Sequence, residues 1–580
     1  MSRGAPTVGG MFDVVIRGGT VVDGTGVEPI VADVAVAGGR IVEVGQVEGA
    51  ASRIVDADGL AVAPGFIDPH THYDAQLFWD PAATPSPMHG VTTVLGGNCG
   101  FSLAPVNPDD ARYLQEMMAM VEGMPLLALE QGLPWDWETF GEFLDSLDGQ
   151  TAVNAGFLVG HSALRRYVMG PDADQPASSE QLDQMVQALH DGLAAGGMGF
   201  STSLAHTHWD GDNEPVPSRF SSTEEVLALA GAVSDHPGTW LEFITSGCLS
   251  MFSDEEIELM SQMSARAQRP LNWNVLTVSA DTQDRTNHQL GAADAAAAVG
   301  GRIVALSMPT IGGLKLCFDS YCPLYNMPGW KDTMNLPRDE KKAALADPEM
   351  RRWLHEQAQT GSGGFYHMAQ WKNMEIGATH SPENDGLTGR RVGDIAAERG
   401  QEPFDVLCDI VLADDLRTDL WPINADDSEE SWAHRTEHWR DPRVIVGGSD
   451  AGAHLDRMCG TRYFTIILGD IVRSRGLLAL EEAVRLMTDV PARLFGLKDR
   501  GRVAEGWHAD LVLFDPATVS SDPIESRTDL PGDCMRLFAG AQGIHRVLVG
   551  GTDIVVDGQV TGATPGTVLR SGRDTETVLP

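Results

Sequence analysis

The chain has 580 residues, too many for one ordinary domain but enough for a large barrel with a smaller companion. A formal net charge of -41 argues against nucleic acid and anionic membrane surfaces as partners. With 42% hydrophobic and 21% charged residues it reads as a globular protein with a sizeable core, and no uninterrupted apolar run approaches the roughly eighteen residues of a membrane span.

The opening Met1-Ser2-Arg3-Gly4-Ala5-Pro6 carries no signal-peptide pattern. The seven cysteines are scattered without paired spacing, so a reducing cytoplasm is the expected home. Residues 12–64 are dense in Val, Ile and Gly turns, for example Phe12-Asp13-Val14-Val15-Ile16 and Ala32-Asp33-Val34-Ala35-Val36. That vocabulary predicts an antiparallel β unit. It returns at Ala509-Asp510-Leu511-Val512-Leu513-Phe514 and at His545-Arg546-Val547-Leu548-Val549. One small β-sandwich assembled from both chain ends, residues 1–65 and 500–580, is the expectation.

The middle, 66–499, alternates. Strands are predicted at 66–74, 91–97, 151–160, 197–203, 239–245, 270–277, 302–308 and 443–449, with helical patterns such as Ser179 to Ala195 and Ser253 to Gln268 between them. Eight strands with intervening helices predict an α/β fold, a (β/α)8 barrel. A long insertion, about 309–440 and rich in Trp, Pro and Met, precedes the last strand and reads as a lid or substrate wall. Its aromatics Trp330, Trp353, Phe365, Tyr366 and Trp371 suit a bulky acyl or aryl group, or else form the insertion's own core.

In such barrels the reactive groups gather at the C-terminal ends of the strands. His70 and His72, in Gly65-Phe66-Ile67-Asp68-Pro69-His70-Thr71-His72-Tyr73-Asp74, end the first strand, and residues i and i+2 of a strand share a face. Two imidazoles aimed one way suit a single metal ion. Asp450, in Gly447-Gly448-Ser449-Asp450, ends the eighth strand, which neighbours the first in a closed barrel. There it can ligate the same ion and accept a proton from water. Cys99, in the turn Gly96-Gly97-Asn98-Cys99-Gly100, reads on its own as a buried structural cysteine, although a thiolate there is a good zinc ligand.

Taken together with Gly18-Gly19-Thr20-Val21-Val22-Asp23-Gly24, Gly90-Val91-Thr92-Thr93-Val94, Leu158-Val159-Gly160-His161-Ser162-Ala163-Leu164-Arg165, Gly199-Phe200-Ser201-Thr202-Ser203-Leu204 and Gly501-Arg502-Val503-Ala504-Glu505-Gly506, these motifs resemble the amidohydrolase superfamily, in its N-acyl-D-amino-acid deacylase branch. The resemblance spans nearly the whole chain. It implies a barrel that hydrolyses an amide with metal-activated water, the metal being zinc in one copy or two. The His-x-His pair and the strand-eight Asp serve one metal position in that family. The Cys and two histidines from strands five and six serve the other. Here His70, His72, Cys99 and Asp450 match. The strand-five stretch Trp240-Leu241-Glu242-Phe243-Ile244 and the strand-six stretch Leu271-Asn272-Trp273-Asn274-Val275 contain no histidine. Glu242 and Asn274 stand near the missing ligands. Glu242 either ligates metal, acts as a base, or faces a buried arginine; Asn274 is expected to orient substrate. A single metal at His70, His72 and Asp450 is the simpler expectation.

His161, His454 and Arg457 are expected at the substrate, with His367 and His380 near the mouth. His206 and His208 are expected on the surface, and His89 in a structural role. The favoured substrate is a linear N-acyl amino acid or related amide; a homo-oligomer is compatible. The rival readings are a cyclic amidase or lactonase on the same barrel and a catalytically dead ligand-binding homologue. No lysine lies at a strand end to be carboxylated between two metals, as those cyclic amidases use.

Overall fold

The computed structural model describes residues 11–310, 313–319, 322–360, 368–422 and 426–580. They fall into two compact units: one comprises the described residues within 11–310, 429–455 and 459–580, and the other those within 313–428 and 456–458.

In the first unit both chain ends enter one nine-stranded sheet, mixed and not purely antiparallel as expected: Phe12–Val21 runs parallel to Ala51–Asp56 and Ala61–Pro64. The junction is the strand Leu511–Phe514, antiparallel to Ala61–Pro64 in the register Leu511↔Pro64 to Phe514↔Ala61. Alternation of side chains decides the packing. Val14, Ile16, Val34, Val36, Leu511, Leu513 and Leu548 share one apolar cluster, while Val15, Ala35 and Val47 form another.

All eight predicted barrel strands form. They are Phe66–Asp68, Val91–Gly96, Asn154–Phe157 continuing at Val159–Gly160, Gly199–Leu204, Trp240–Thr245, Pro270–Leu276, Arg302–Ser307 and Val444–Val446. Neighbours pair in parallel from first to third and from the third strand's continuation to the eighth. A parallel bridge between Thr71 and Ala451 joins the eighth strand back to the first. Inside, Ile67, Leu95, Leu158, Trp240, Val304, Leu306 and Ile445 meet Ala492, Leu494, Phe495, Leu497 and Leu569 in one core.

The helices start where their side chains can satisfy free backbone N–H groups. Ser178 and Gln181 form a capping box before Ser179–Ala194, and Ser253 and Glu256 form another before Asp254–Ala267. The helix Glu429–Trp439 lies inside the predicted insertion yet belongs to the barrel unit. Arg435 Nε donates to the Val278 carbonyl at 2.9 Å and Trp439 Nε1 to Ser307 Oγ at 3.1 Å, which ties it to the sixth and seventh strands.

The second unit is built from short helices, among them Arg338–Ala346, Pro348–Gln359 and Pro403–Ala413, with the strand pair Met374–Ile376 and Leu420–Pro422. Trp330, Trp371 and Phe404 stack with ring centroids 4.8 to 5.8 Å apart. These aromatics are the unit's own core. Trp353 is exposed, and Phe365, Tyr366 and His367 lie outside the described residues.

His89 is structural, as expected. Its Nδ1 lies 2.8 Å from Thr465 Oγ1 and its Nε2 3.0 Å from the Ala539 carbonyl, and burial pushes its pKa down to about 4. The unfolded chain therefore takes up a proton here from an ordinary value near 6.5, which the folded chain refuses until about pH 4. Stability falls as pH drops through that window, by about 3 kcal/mol from this group. Urea unfolding at several pH values between 7 and 4 should show the slope, and His89→Gln should remove that share of it. An unchanged slope in the variant would refute the assignment.

Candidate metal centre

The centre begins at a proline. Pro69 has no N–H to give a ladder, so the regular first strand stops at Asp68, and the chain bends at Pro69 and His70 before bridging to Ala451 at Thr71. Thr71 then donates its N–H to the Leu95 carbonyl of the second strand, while His72 donates its N–H to the Ala451 carbonyl beyond the eighth. Strung between neighbours in this way, His70 and His72 point to one side with ring centroids 5.3 Å apart. Both are buried.

Cys99 reaches the same place from the second strand. Gly97, Cys99 and Gly100 all have left-handed backbones, at φ 73°, 56° and 77°. At Gly97 a Cβ would collide with the Leu158 carbonyl as well. Three contacts hold the turn: Ser201 Oγ donates to the Gly97 carbonyl at 2.5 Å, the Gly100 N–H donates to Ser201 Oγ at 3.1 Å, and the Cys99 N–H donates to Glu242 Oε2 at 2.8 Å.

Donor atoms of His70, His72 and Cys99 all lie within 4.8 Å of one another, and Asp450 approaches the two histidines. His70 Nε2 lies 3.6 Å from Cys99 Sγ and 3.5 Å from Asp450 Oδ1, and His72 Nε2 lies 3.2 Å from the same Oδ1. Tetrahedral zinc, with bonds of about 2.0–2.1 Å to nitrogen or oxygen and about 2.3 Å to sulfur, sets its donors about 3.4 and about 3.6 Å apart. The spacing fits. Nδ1 of both histidines and Nε2 of His72 have no hydrogen-bond partner, so packing alone does not account for these rings.

The field at the centre favours positive charge. Burial alone would lower His72, but Glu122, Asp450 and Asp74 lift it to about 9. His70 is lowered by burial, only partly opposed by Asp450. Burial would raise Asp450, yet the His70 and His72 imidazoles and the His454 ring hold its carboxyl well below the usual carboxylate range. Cys99 is pushed well up by burial and by Glu242, Glu122 and Asp450. Without a cation its sulfur keeps its proton at neutral pH.

Glu242 does not face an arginine. Oε2 takes the Cys99 N–H, Oε1 has no hydrogen-bond partner, and burial lifts the carboxyl to about 8. Asn274 Nδ2 donates to Cys99 Sγ at 3.3 Å, so it contacts the sulfur directly. His454 Nε2 lies 3.6 Å from Asp450 Oδ2. Arg457 belongs to the other unit, where its Nε donates to Asp456 Oδ1 at 2.7 Å and its carbonyl accepts from the Lys315 N–H. His380 is an exposed residue of that same unit.

His161 is a correction. Its Nε2 lies 2.8 Å from Glu225 Oε1 and its Nδ1 2.8 Å from Thr202 Oγ1, and Arg165 pairs with the same glutamate. Both ring nitrogens are spent in the core, which leaves neither for a substrate. The second His-x-His divides: His206 is exposed as expected, but His208 is half-buried, with its ring on Phe101 and Nδ1 2.7 Å from Ser203 Oγ. Burial, reinforced by His454 and His72, pushes it down to about 3. Glu122 was not foreseen at all. It caps the helix Ala111–Val121 and puts Oε2 3.6 Å from His72 Nε2. A glutamate before a glycine at a helix end reads as solvated, and nothing local in the sequence marks it otherwise.

Known proteins align along the whole chain. A profile of the amidohydrolase family matches residues 53–561. D-aminoacylase of Alcaligenes xylosoxydans xylosoxydans is 30% identical over 568 residues, covering 96% of this chain and 97% of the relative. N-acyl-D-aspartate deacylase of the same organism is 30% identical over 567 residues, covering 97% and 95%. A crystal structure of D-aminoacylase, described as defining a novel subset of amidohydrolases, superposes with a TM-score of 0.64 at 28% identity, over 96% of this chain and 100% of that one.

Replacing His161 by Gln should lower stability by about 1–3 kcal/mol, the cost of leaving buried partners unmade. Metal content and turnover per folded molecule should stay as they were. A selective rise in KM at unchanged stability would restore His161 to the substrate site.

Proposed function

The chain belongs to the amidohydrolase family, and on that premise we propose that it hydrolyses a linear amide, an N-acyl amino acid or a related N-acyl or aryl amide, with a divalent metal ion held by His70, His72 and Asp450 beside Cys99. The observation that carries the reading is the approach of His70 Nε2 and His72 Nε2 to one carboxylate oxygen, at 3.5 and 3.2 Å. When bound, zinc would polarise the scissile carbonyl and make water more acidic.

The chain's own residues do the remaining work. Asp450 stays ionised at neutral pH, as a proton acceptor must. It accepts a proton from the attacking water and passes it to the leaving nitrogen, so that amide and water become acid and amine. Cys99 and Glu242 hold the strand-two turn in place through the 2.8 Å backbone hydrogen bond. His454, 24% exposed, stands on the side of Asp450 open to solvent, where a substrate would arrive. Relatives named for D-aminoacylase and N-acyl-D-aspartate deacylase activity make N-acyl-D-amino acids the first class to try.

No helix among the described residues is long and apolar enough to cross a membrane. All seven cysteines are free thiols, which supports the cytoplasm as the working compartment.

A panel of N-acyl D- and L-amino acids and aryl amides, assayed on zinc-loaded protein, tests the substrate. Asp450→Asn should cost about 10²–10⁴-fold in kcat with the fold intact. Removing metal with a chelator should abolish turnover, and zinc should restore it. Full activity in the metal-free protein or in the Asp450 variant would sink the mechanism.

A further inference from the structure

We propose that His208 is a further catalytic residue of the hydrolysis, its Nε2–H donating a hydrogen bond to the scissile carbonyl oxygen as negative charge builds there. The inference rests on the amide-hydrolase reading, and it gives His208 the place at the substrate expected of His161.

Every handle on His208 is committed except one. Its N–H donates to the Ala205 carbonyl at 3.2 Å, and its carbonyl accepts from Arg219 Nη1 at 2.9 Å and from the Val216 N–H at 3.4 Å. The ring packs on that of Phe101, a fully buried residue just beyond Cys99, with centroids 5.3 Å apart. Nδ1 lies 2.7 Å from Ser203 Oγ, near the end of the fourth strand. Among the described residues Nε2 has no hydrogen-bond partner, and the residue is only half-buried.

Ser203 sets the tautomer. Its hydroxyl oxygen takes the Ala205 N–H at 3.3 Å, and the acceptor left for its own hydrogen is His208 Nδ1. A neutral imidazole has one donor nitrogen and one acceptor nitrogen, so Nε2 carries the hydrogen. A protonated ring would carry one there too, and the donor therefore does not depend on pH. The charged and titratable groups that act on the ring are His454, His72 and Asp450 of the centre, with Arg219. His208 thus stands in the same barrel mouth as Asp450, and its one uncommitted atom is a donor.

Amide hydrolysis uses such a donor. As water adds to the carbonyl carbon, the C=O π pair moves onto oxygen, and the Nε2–H bond to that oxygen strengthens without transferring its proton. When the C–N bond breaks the pair returns to re-form the carbonyl, while the nitrogen leaves with the proton that Asp450 took from water. Amide and water become acid and amine, and His208 ends as it began. A ring held by its backbone, its face and Nδ1 needs no reorganisation as the charge develops, which is what makes a fixed donor effective.

The test uses the zinc-loaded full chain and the best amide of the panel. His208→Asn keeps a polar group beside Ser203 but does not reach the place of Nε2. It should lower kcat about 10²–10³-fold with KM within about threefold. His208→Gln, whose longer side chain carries an amide N–H to that place, should recover kcat to within about tenfold of wild type. Zinc content and thermal melts should match wild type in both. Ser203→Ala leaves the imidazole but removes its anchor; it should lower kcat with KM held, and it carries the test if a residue-208 variant does not fold. Wild-type kcat in His208→Asn, equal losses in the asparagine and glutamine variants, or a change confined to KM would overturn the proposal and leave the hydrolase reading standing. Should neither residue-208 variant fold, wild-type kcat in Ser203→Ala would overturn it instead. No turnover by the wild-type protein on any amide of the panel would overturn both.

Discussion

Everything at this centre depends on the first strand closing against the eighth. Residues 70 and 450 are 380 apart in sequence, and two backbone hydrogen bonds bring them together: the His72 N–H to the Ala451 carbonyl at 2.7 Å, and the Asp450 N–H to the His70 carbonyl at 3.2 Å. The Ser449 N–H to Asp68 Oδ1, at 3.4 Å, adds a third tie. The seam needs a residue without a side chain at Gly452, since a Cβ there would run into the His72 carbonyl. A barrel that failed to close here would keep its strands and lose its metal site.

The backbone around the centre sits in uncommon conformations. Cys99, Asp450 and His454 are non-glycine residues at φ 56°, 58° and 51°. Such positions cost roughly 1–3 kcal/mol each and persist only where surrounding contacts over-determine them. Those contacts are visible around Cys99, where Ser201 and Glu242 grip both ends of the turn. At His454 the grip comes from the Glu122 carbonyl. The strain buys direction: it aims a thiol, a carboxylate and an imidazole inward from loops that regular strands could not turn so sharply.

Much of this was legible in the chain itself, and the reason is periodicity. Eight apolar runs separated by helical patterns report a barrel whatever its sequence relatives are, and a two-residue spacing of histidines reports a shared face. Asp450 was legible because strand order makes it a neighbour of His70. Glu122 and His208 were not, since each reaches the centre from a loop whose path no local pattern records. His161 failed in the opposite direction. It sits in a family motif at a strand end, but the buried pair of Glu225 and Arg165 claims it for the core, and a buried ion pair spends every donor within reach. The insertion's aromatics left two readings open, and the structure takes the second: a unit of short helices needs large rings to make any core at all.

The departures at strands five and six then take on a physical meaning. Where the family resemblance implies histidines, Glu242 accepts the Cys99 N–H and Asn274 donates to Cys99 Sγ. Each makes one hydrogen bond to the cysteine, while Glu242 Oε1 and Asn274 Oδ1 stay without a hydrogen-bond partner. A neutral glutamic acid, lifted to about 8 by burial, and a neutral amide leave that side of the sulfur without net charge. On the other side, Asp450 and Glu122 draw positive charge toward His72. The carboxylates that draw positive charge toward His72 therefore lie at the end of the eighth strand and at the end of the helix Ala111–Val121, not on strands five and six. The side of Cys99 that faces His70 is the side on which its sulfur can still meet a cation.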